Sequence, residues 1–272
     1  MSNSKKSQTI CLWLLTVFIT LSSVVYQRMT GPTHPFRGKV IIADETIKYK
    51  LLRSHDTTSD AIMDFAVPDT AISGIFKWRR YKSHDEWTVD TLKTTNNKLT
   101  VTIPKQPAAG KVMYQITLVD GSRKKYQLSE QPVVIRYKGA VPRYILLPHI
   151  LFMFITMLLS TRTGLEAIAK RDRAFQLALW TTGLIFIGGL ILGPFVQKNA
   201  FGAFWTGWPF GHDLTDNKTL VAFIFWGIAL WRGKQENRGR AWFIVAAIVQ
   251  LLVYLVPHSV LGSEIDYTAM DQ

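Results

Sequence analysis

Histidines and carboxylates next to long apolar segments are the residues of this chain best suited to bind a metal ion or a polar ligand. His149 lies in a Leu-Pro-His-Ile run, and His258 follows a proline at the end of an apolar segment. His212 comes directly before Asp213 and is soon followed by Asp216. Imidazole nitrogens and carboxylate oxygens are common ligands of divalent transition metals. The spacing matches no metal-binding motif, so only the folded topology could gather these residues into one metal or ligand site.

Neighbouring residues could complete such a site. They supply aromatic walls, an amide, an ammonium group and further carboxylates: Trp205, Trp208, Asn217, Lys218, Glu264 and Asp266. Each candidate also has a structural explanation. Aromatic rings form belts at membrane interfaces, Asp216 could cap a helix, and Lys218 could extend its ammonium group to water. His149 could simply be hydrogen-bonded within the fold.

These residues suit three different functions. The first is a non-enzymatic protein that binds a ligand or a divalent metal, or recruits an envelope partner. The second is a redox protein that holds a b-type haem or a quinone, with His149 and His258 as axial ligands between Trp205 and Trp208. The third is a metal-dependent hydrolase of lipid or envelope substrates, with one of the two aspartates after His212 as base. The chain has no phosphate-binding glycine loop, G-x-S-x-G or H-E-x-x-H motif, which favours the first function.

Five apolar segments must position these residues, and each is predicted to span a membrane. They are almost free of charged residues: 10–26, 144–160, 174–196, 219–231 and 241–257. A span needs roughly 20 apolar residues. At about 1.5 Å per residue, segment 219–231 covers only about 20 Å of a hydrocarbon core of about 30 Å. We therefore expect that part of the 197–218 loop enters the outer leaflet, or that the membrane thins there.

The distribution of basic residues predicts how the spans are oriented. The formal net charge is +13. Ten basic residues lie in a tail and two short loops: 1–9, 161–173 and 232–240. Short cytoplasmic loops carry excess Lys and Arg, so the N-terminus is expected inside and the C-terminus outside. Residues 27–143, 197–218 and 258–272 would then face the periplasm from a bacterial inner membrane, and no nucleic acid is needed to explain the charge.

Cys11 is the only cysteine of the chain. It lies in the first apolar segment, so the external region has no disulfide. The segment could be a signal peptide, but no small-x-small cleavage pattern follows it, which favours an uncleaved anchor.

Residues 27–143 are predicted to form an external all-β sandwich. Short runs in which apolar and polar residues alternate are separated by turn residues such as Asp120-Gly121, a pattern typical of seven or eight strands. The stretch from Ile103-Pro104 to Tyr114 resembles the corner between strands E and F of fibronectin type III and other immunoglobulin-like domains. This resemblance implies that the Tyr114 hydroxyl ties the corner to nearby backbone, and that Trp78 lies in the core.

The same region is strongly basic. It carries 20 Lys and Arg residues against 11 Asp and Glu residues. We expect attraction to anionic lipid headgroups or to an acidic envelope protein. The structural alternative is a solvated surface that keeps the domain soluble.

Three segments also resemble uncharacterised bacterial inner-membrane proteins. They are 135–142, 205–219 and 257–259. The resemblance implies an inner-membrane location and no particular reaction.

Overall fold

The computed structural model describes residues 2–67, 71–234, 239–257 and 262–269. The chain divides into two compact units. The helical unit comprises Met1–Pro32, Val141–Asn199 and Ala203–Gly262, and the β unit comprises Thr33–Ala140, Ala200–Gly202 and Ser263–Gln272.

Long helices account for most of the helical unit. They are α1 (Ser2–Thr30), α2 (Arg143–Ile168), α3 (Ala174–Ile185), α4 (Gly193–Phe201), α5 (Leu214–Gly233) and α6 (Gly239–Leu255). A π-helix, Phe186–Leu192, joins α3 to α4, so these three form one continuous helix. Side chains tie the helices together: Gln27 donates to the Tyr254 carbonyl over 2.8 Å, and the Tyr254 hydroxyl donates to the Met153 carbonyl.

Three of the described helices are long and apolar enough to cross a membrane: Lys5–Thr30, Arg143–Ile168 and Ala174–Phe201. Helix α6 is apolar but has only 17 residues. Large apolar side chains are exposed along the helices, among them Phe18 at 69%, Leu147 at 61% and Trp180 at 60%. Apolar surface on this scale is unfavourable in water and suits contact with lipid. The helical unit is therefore compatible with a membrane protein, and the arrangement of five spans stays a prediction.

Helix α5 is longer than the apolar segment that predicts it. It begins at Leu214 and has 20 residues, which corresponds to about 30 Å at 1.5 Å per residue. The added first turn is polar, so apolar periodicity could not reveal it. Helix α4 in turn continues to Phe201. The apolar part of α5 is still the segment 219–231, so a loop that enters the outer leaflet, or a thinner membrane, stays a prediction.

The β unit contains a six-stranded sheet and two two-stranded sheets. The strands are β1 (Phe36–Ile42), β2 (Glu45–Leu51), β3 (Ser54–Asp56), β4 (Ala61–Ala66), β5 (Ser73–Arg80), β6 (Thr88–Lys93), β7 (Lys98–Ile103), β8 (Lys111–Val119), β9 (Lys125–Gln127) and β10 (Val133–Lys138). The large sheet has the order β3-β10-β8-β5-β6, with β9 also paired to β8, while β1 pairs with β2 and β4 with β7. The pairing of β3 with β10 is parallel, and the other pairings are antiparallel.

The alternating runs place one face of several strands in a common core. In β4, Ala61, Met63 and Phe65 are buried and the residues between them are exposed. In β7, Leu99, Val101 and Ile103 are buried in the same alternating pattern. Successive side chains of a strand point to opposite faces, so period-two patterning selects the buried face. The strand runs predicted from the sequence are thus present, and the three short or early strands β1, β3 and β9 are additions.

Two details of the immunoglobulin-like resemblance differ from expectation. Tyr114 is fully buried, and its hydroxyl donates over 2.8 Å to the Leu52 carbonyl, 62 residues away, and not to nearby backbone. Burial raises the pKa of the Tyr114 hydroxyl, which therefore stays a donor. Trp78 is only partly buried at the border of the core, whereas Phe76 is 1% exposed within it. The immunoglobulin-like class remains a prediction.

Candidate functional site

Asp216 holds the loop between α4 and α5 against the first turn of α5. Asp216 is buried, with a relative exposure of 8%. One carboxylate oxygen, Oδ2, accepts hydrogen bonds from the backbone N–H of Thr206 at 2.7 Å and of Gly207 at 3.1 Å. Hydrogen bonds to a charged group contribute roughly 1.5–3 kcal/mol each. Gly207 permits this approach, since a Cβ there would lie 2.7 Å from the Asp216 Cβ. Asp216 is therefore an anchor of the loop.

Asp213 performs a related task one turn earlier. Its Oδ1 accepts from the backbone N–H of Thr215 at 2.8 Å, which makes Asp213 the N-cap of α5. Its Oδ2 lies 3.2 Å from the Thr206 hydroxyl and 3.4 Å from Nε2 of Gln197. The Asp213 N–H also donates to the Thr206 carbonyl at 2.9 Å. Both carboxylates thus serve loop and helix contacts.

The remaining candidates of this segment are also engaged by the protein. Asn217 accepts from the Trp208 N–H at 2.6 Å, and the Trp205 indole donates to the Trp208 carbonyl at 3.1 Å. The Trp208 side chain is 69% exposed. Lys218 is 7% exposed and donates over 2.6 Å to the Val256 carbonyl at the end of α6, so its ammonium group does not extend to water as expected. These contacts favour the structural interpretation of a capped helix, but the N-cap is Asp213 and not Asp216 as expected.

His149 is hydrogen-bonded within the helical unit. Its Nδ1 lies 2.8 Å from the carbonyl oxygen of Gly188, in the π-helix. With a carbonyl as acceptor, Nδ1 carries the proton and Nε2 keeps its lone pair. No other bond of the His149 ring is made with the described residues. The imidazole is therefore fixed in orientation, with Nε2 available.

The predicted metal cluster receives no support from the structure. In the part of the chain described here, no group of three or more His, Cys, Asp or Glu side chains could hold a metal ion. His258 lies outside the described residues, and His212 is exposed. Asp213 and Asp216 are close to each other, and the hydrogen bonds given above are accepted by both oxygens of Asp213 and by Oδ2 of Asp216.

Glu264 and Asp266, predicted as ligand-binding residues, belong to the β unit. Glu264 forms ion pairs with both Lys82 and Lys111, and the Tyr267 N–H donates over 2.9 Å to the Lys82 carbonyl. Asp266 accepts from the Thr268 N–H at 3.0 Å within the same segment. Glu264 therefore holds a C-terminal segment against the rest of the β unit, and Asp266 orders a turn within that segment, uses that the sequence pattern did not indicate.

A buried charge cluster in α2 was missed by the sequence interpretation. The segment 161–173 was predicted to be a loop, but α2 continues to Ile168. Arg162 and Glu166 are 3% and 1% exposed, with 2.5 Å between Nη1 and Oε2. Arg171 approaches the same carboxylate at 3.4 Å and donates to the Thr9 hydroxyl at 2.8 Å. The available signal was an Arg and a Glu four residues apart, which face each other on a helix.

A cleft in the β unit was also missed. Its volume is about 580 Å³, and it is lined by segments distant in sequence, including Phe36, Tyr49, Arg53, Ser129 and Val134. No motif links these positions, because three separate parts of the chain contribute to the cleft. Ser129 is 8% exposed, and its hydroxyl has no hydrogen-bond partner among the described residues.

A comparison with protein-family models and with curated proteins finds no match to this chain. The resemblance to bacterial inner-membrane proteins therefore stays a prediction, and the function has to be argued from the residues.

Proposed function

We propose that the chain is a non-enzymatic protein of a bacterial inner membrane, which presents its β unit in the periplasm as a module for recruiting an envelope partner. In this proposal the five helices act as the anchor, with the N-terminus inside and the C-terminus outside. The β unit has the fold of an immunoglobulin-like sandwich, and its excess of basic residues attracts acidic partners.

The anchoring role is supported by composition and charge. Three helices have the length and apolarity that a bilayer requires. Basic residues concentrate in the N-terminal tail and in the segments 161–173 and 232–240, as the positive-inside rule predicts for cytoplasmic segments. A periplasmic β unit follows from that rule.

The single observation that carries the recruiting role is an open cleft of about 580 Å³ in the β unit, lined by Phe36, Tyr49 and Arg53. The guanidinium of Arg53 makes no hydrogen bond or ion pair with the described residues, so it can meet an acidic group of a ligand. At the start of α5, by contrast, Asp213, Asp216 and Lys218 are all bonded to the protein.

Cysteine labelling in intact cells tests this proposal. In a Cys11→Ser background, Thr91→Cys in β6 and Ala269→Cys in the C-terminal segment should react with a membrane-impermeant maleimide once the outer membrane is opened. Lys234→Cys, at the end of α5, should react only after the inner membrane is opened as well. Labelling of Lys234→Cys from the periplasm, with protection of Thr91→Cys, would refute the proposal.

A second candidate function keeps His149 as a ligand of a b-type haem. The observation in its favour is the Nδ1 contact to Gly188, because ligating histidines usually donate their other ring nitrogen to such an acceptor. The second axial ligand would be His258, outside the described residues. Among the described residues, His149 could provide one ligand to the haem iron. A bound haem would supply one-electron transfer. A Soret band in the purified protein that disappears in His149→Ala would support this function, and a colourless wild-type protein would eliminate it.

A further inference from the structure

The cleft of the β unit lies where the first hairpin meets the start of β10. One side is formed by Phe36 and Tyr49, which pack with ring centroids 6.3 Å apart and planes inclined by 27°. The other side is formed by the connection between β9 and β10, with Ser129, and by Val134 of β10. Its volume of about 580 Å³ lies within the usual range for ligand sites.

One edge of β10 is open where it borders the cleft. Strand β3 pairs only with Arg136–Lys138, so no strand among the described residues pairs with the first half of β10 on that side. The N–H of Arg136 donates to the Arg53 carbonyl at 3.1 Å on the β3 side, whereas the N–H of Tyr137 donates to the Gly110 carbonyl on the β8 side. Backbone groups alternate between the two edges of a strand. The N–H and C=O of Val134 therefore point to the same side as those of Arg136, into the cleft.

Side chains next to this edge can recognise an acidic group. Arg53 is half-buried, and its guanidinium makes no hydrogen bond or ion pair with the described residues. A guanidinium presents several donors in a planar arrangement that matches a carboxylate. Glu130 also lines the cleft but is exposed, so water and salt screen its charge. The surrounding region, with 20 basic against 11 acidic residues in 27–143, also favours an acidic partner.

We propose that this cleft binds an extended, acidic peptide segment by adding it as a strand beside β10. The peptide backbone pairs with the N–H and C=O of Val134, continuing the ladder that β3 begins. An acidic side chain pairs with Arg53, and apolar side chains pack on Phe36 and Tyr49. Strand addition of this kind takes its affinity from main-chain bonds and its specificity from alternate side chains. The inference rests on the proposed recruiting function and names the partner.

Fluorescence anisotropy with the full chain in detergent micelles tests the inference. The probe is a fluorescein-labelled heptapeptide of alternating Val and Thr with a central Glu. Two control peptides carry either a central Lys or N-methylated amides, which cannot form a ladder. We expect saturable binding of the acidic probe and at least tenfold weaker binding of both controls. Equal binding of the three peptides, or no binding of any, would overturn the inference.

Variants of the chain identify the surface. Arg53→Gln should weaken binding of the acidic probe at least tenfold, while Arg123→Gln in the exposed β8–β9 turn should not change it. Val134→Pro removes the N–H that faces the cleft but no bond to β8, so the strand should persist while binding falls. Glu130→Gln should leave binding unchanged or tighten it. Unchanged affinity in both Arg53→Gln and Val134→Pro would refute the site.

Other ligands are separate outcomes of the same assay. If an N-acetylglucosamine tetrasaccharide binds at the aromatic wall while the acidic peptide does not, the peptide inference is wrong. The assay uses detergent-solubilised protein, so it does not depend on topology. Failed peptide binding with correct cysteine labelling would leave the recruiting proposal standing and remove only the named partner.

Discussion

The loop at the start of α5 and the cleft of the β unit use polar side chains in opposite ways. In the loop, Asp213 and Asp216 each accept several hydrogen bonds from their own chain. The cavity beside Lys218 has a volume of about 10 Å³, which is room for one water molecule at most. In the cleft, the Ser129 hydroxyl has no partner among the described residues, and about 580 Å³ is open.

This difference separates polar residues that hold the fold from those that can meet a ligand. The most conspicuous residues in the sequence, the aspartates after His212, belong to the first kind. The inconspicuous Arg53 belongs to the second. A buried polar group bonded to its own chain has little left to offer a ligand, whereas an unpartnered one at an opening gains from binding.

The largest effect is expected from the charge cluster of α2. Glu166→Leu leaves Arg162 and Arg171 without their carboxylate and should lower the free energy of unfolding by about 3–5 kcal/mol. Thermal unfolding in detergent micelles measures it. The double variant Arg162→Leu/Glu166→Leu should recover much of the loss, because it leaves fewer charges buried. An unchanged melting temperature in Glu166→Leu would show that these charges are not structural.

Asp216→Ala should release the loop that precedes α5. Two charge-assisted hydrogen bonds are lost, so we expect destabilisation of roughly 3 kcal/mol or more. Hydrogen exchange at the Thr206 and Gly207 amides measures the release locally. Asp172→Ala is the matched control, because that carboxylate is fully exposed, with a relative side-chain area of 101%. If both variants exchange like the wild type, the loop does not depend on Asp216, and this carboxylate does not hold the fold.

A smaller effect is expected at the C-terminal segment when the pH is lowered. Burial alone would raise the pKa of the Glu264 carboxyl, but hydrogen bonds and charge from Lys111 and Lys82 outweigh it and keep the pKa below its ordinary value of 4.5. A lowered folded pKa means that the stabilisation is complete above the ordinary value and is lost as pH falls through the folded pKa. We expect a loss of up to about 1 kcal/mol, as for partly exposed ion pairs.

The protection factor of the Tyr267 amide, followed from neutral pH to about pH 3, measures this release. In Glu264→Gln the protection should be low already at neutral pH and should change less on acidification. This variant also separates Glu264 from Asp266, whose pKa is lowered by hydrogen bonds from Thr268 within the same segment. Protection that is independent of pH in the wild type would contradict the role of Glu264.

The smallest effect is expected in the cleft. Ser129→Ala removes a buried hydroxyl without a partner, so it should leave the empty protein equally stable or stabilise it by up to about 1 kcal/mol. Chemical unfolding measures the change. Destabilisation by Ser129→Ala would mean that the hydroxyl has a structural partner, as the aspartates of the α5 loop do.

The sequence predicts local patterns better than the places where distant segments meet. The alternation of Met63 and Phe65 with exposed residues identifies β4 and its buried face. The apolar run after Lys218 indicates a helix, but the polar first turn of α5 does not resemble one. Its start depends on Asp213 as N-cap, and the partners of Asp216 come from a loop ten residues away.

The amino-acid sequence alone determined that long apolar helices accompany a β-rich region, because period and apolar length are local properties of the chain. Tertiary structure decided what each polar residue does. Glu264 follows the last helix in sequence, yet its partners Lys82 and Lys111 come from the β unit. Likewise, Arg53 and Ser129 line one cleft only because strands distant in sequence pair side by side. Hydrogen bonds and ion pairs act over a few ångströms of space, and no spacing along a chain records which segments folding will bring that close.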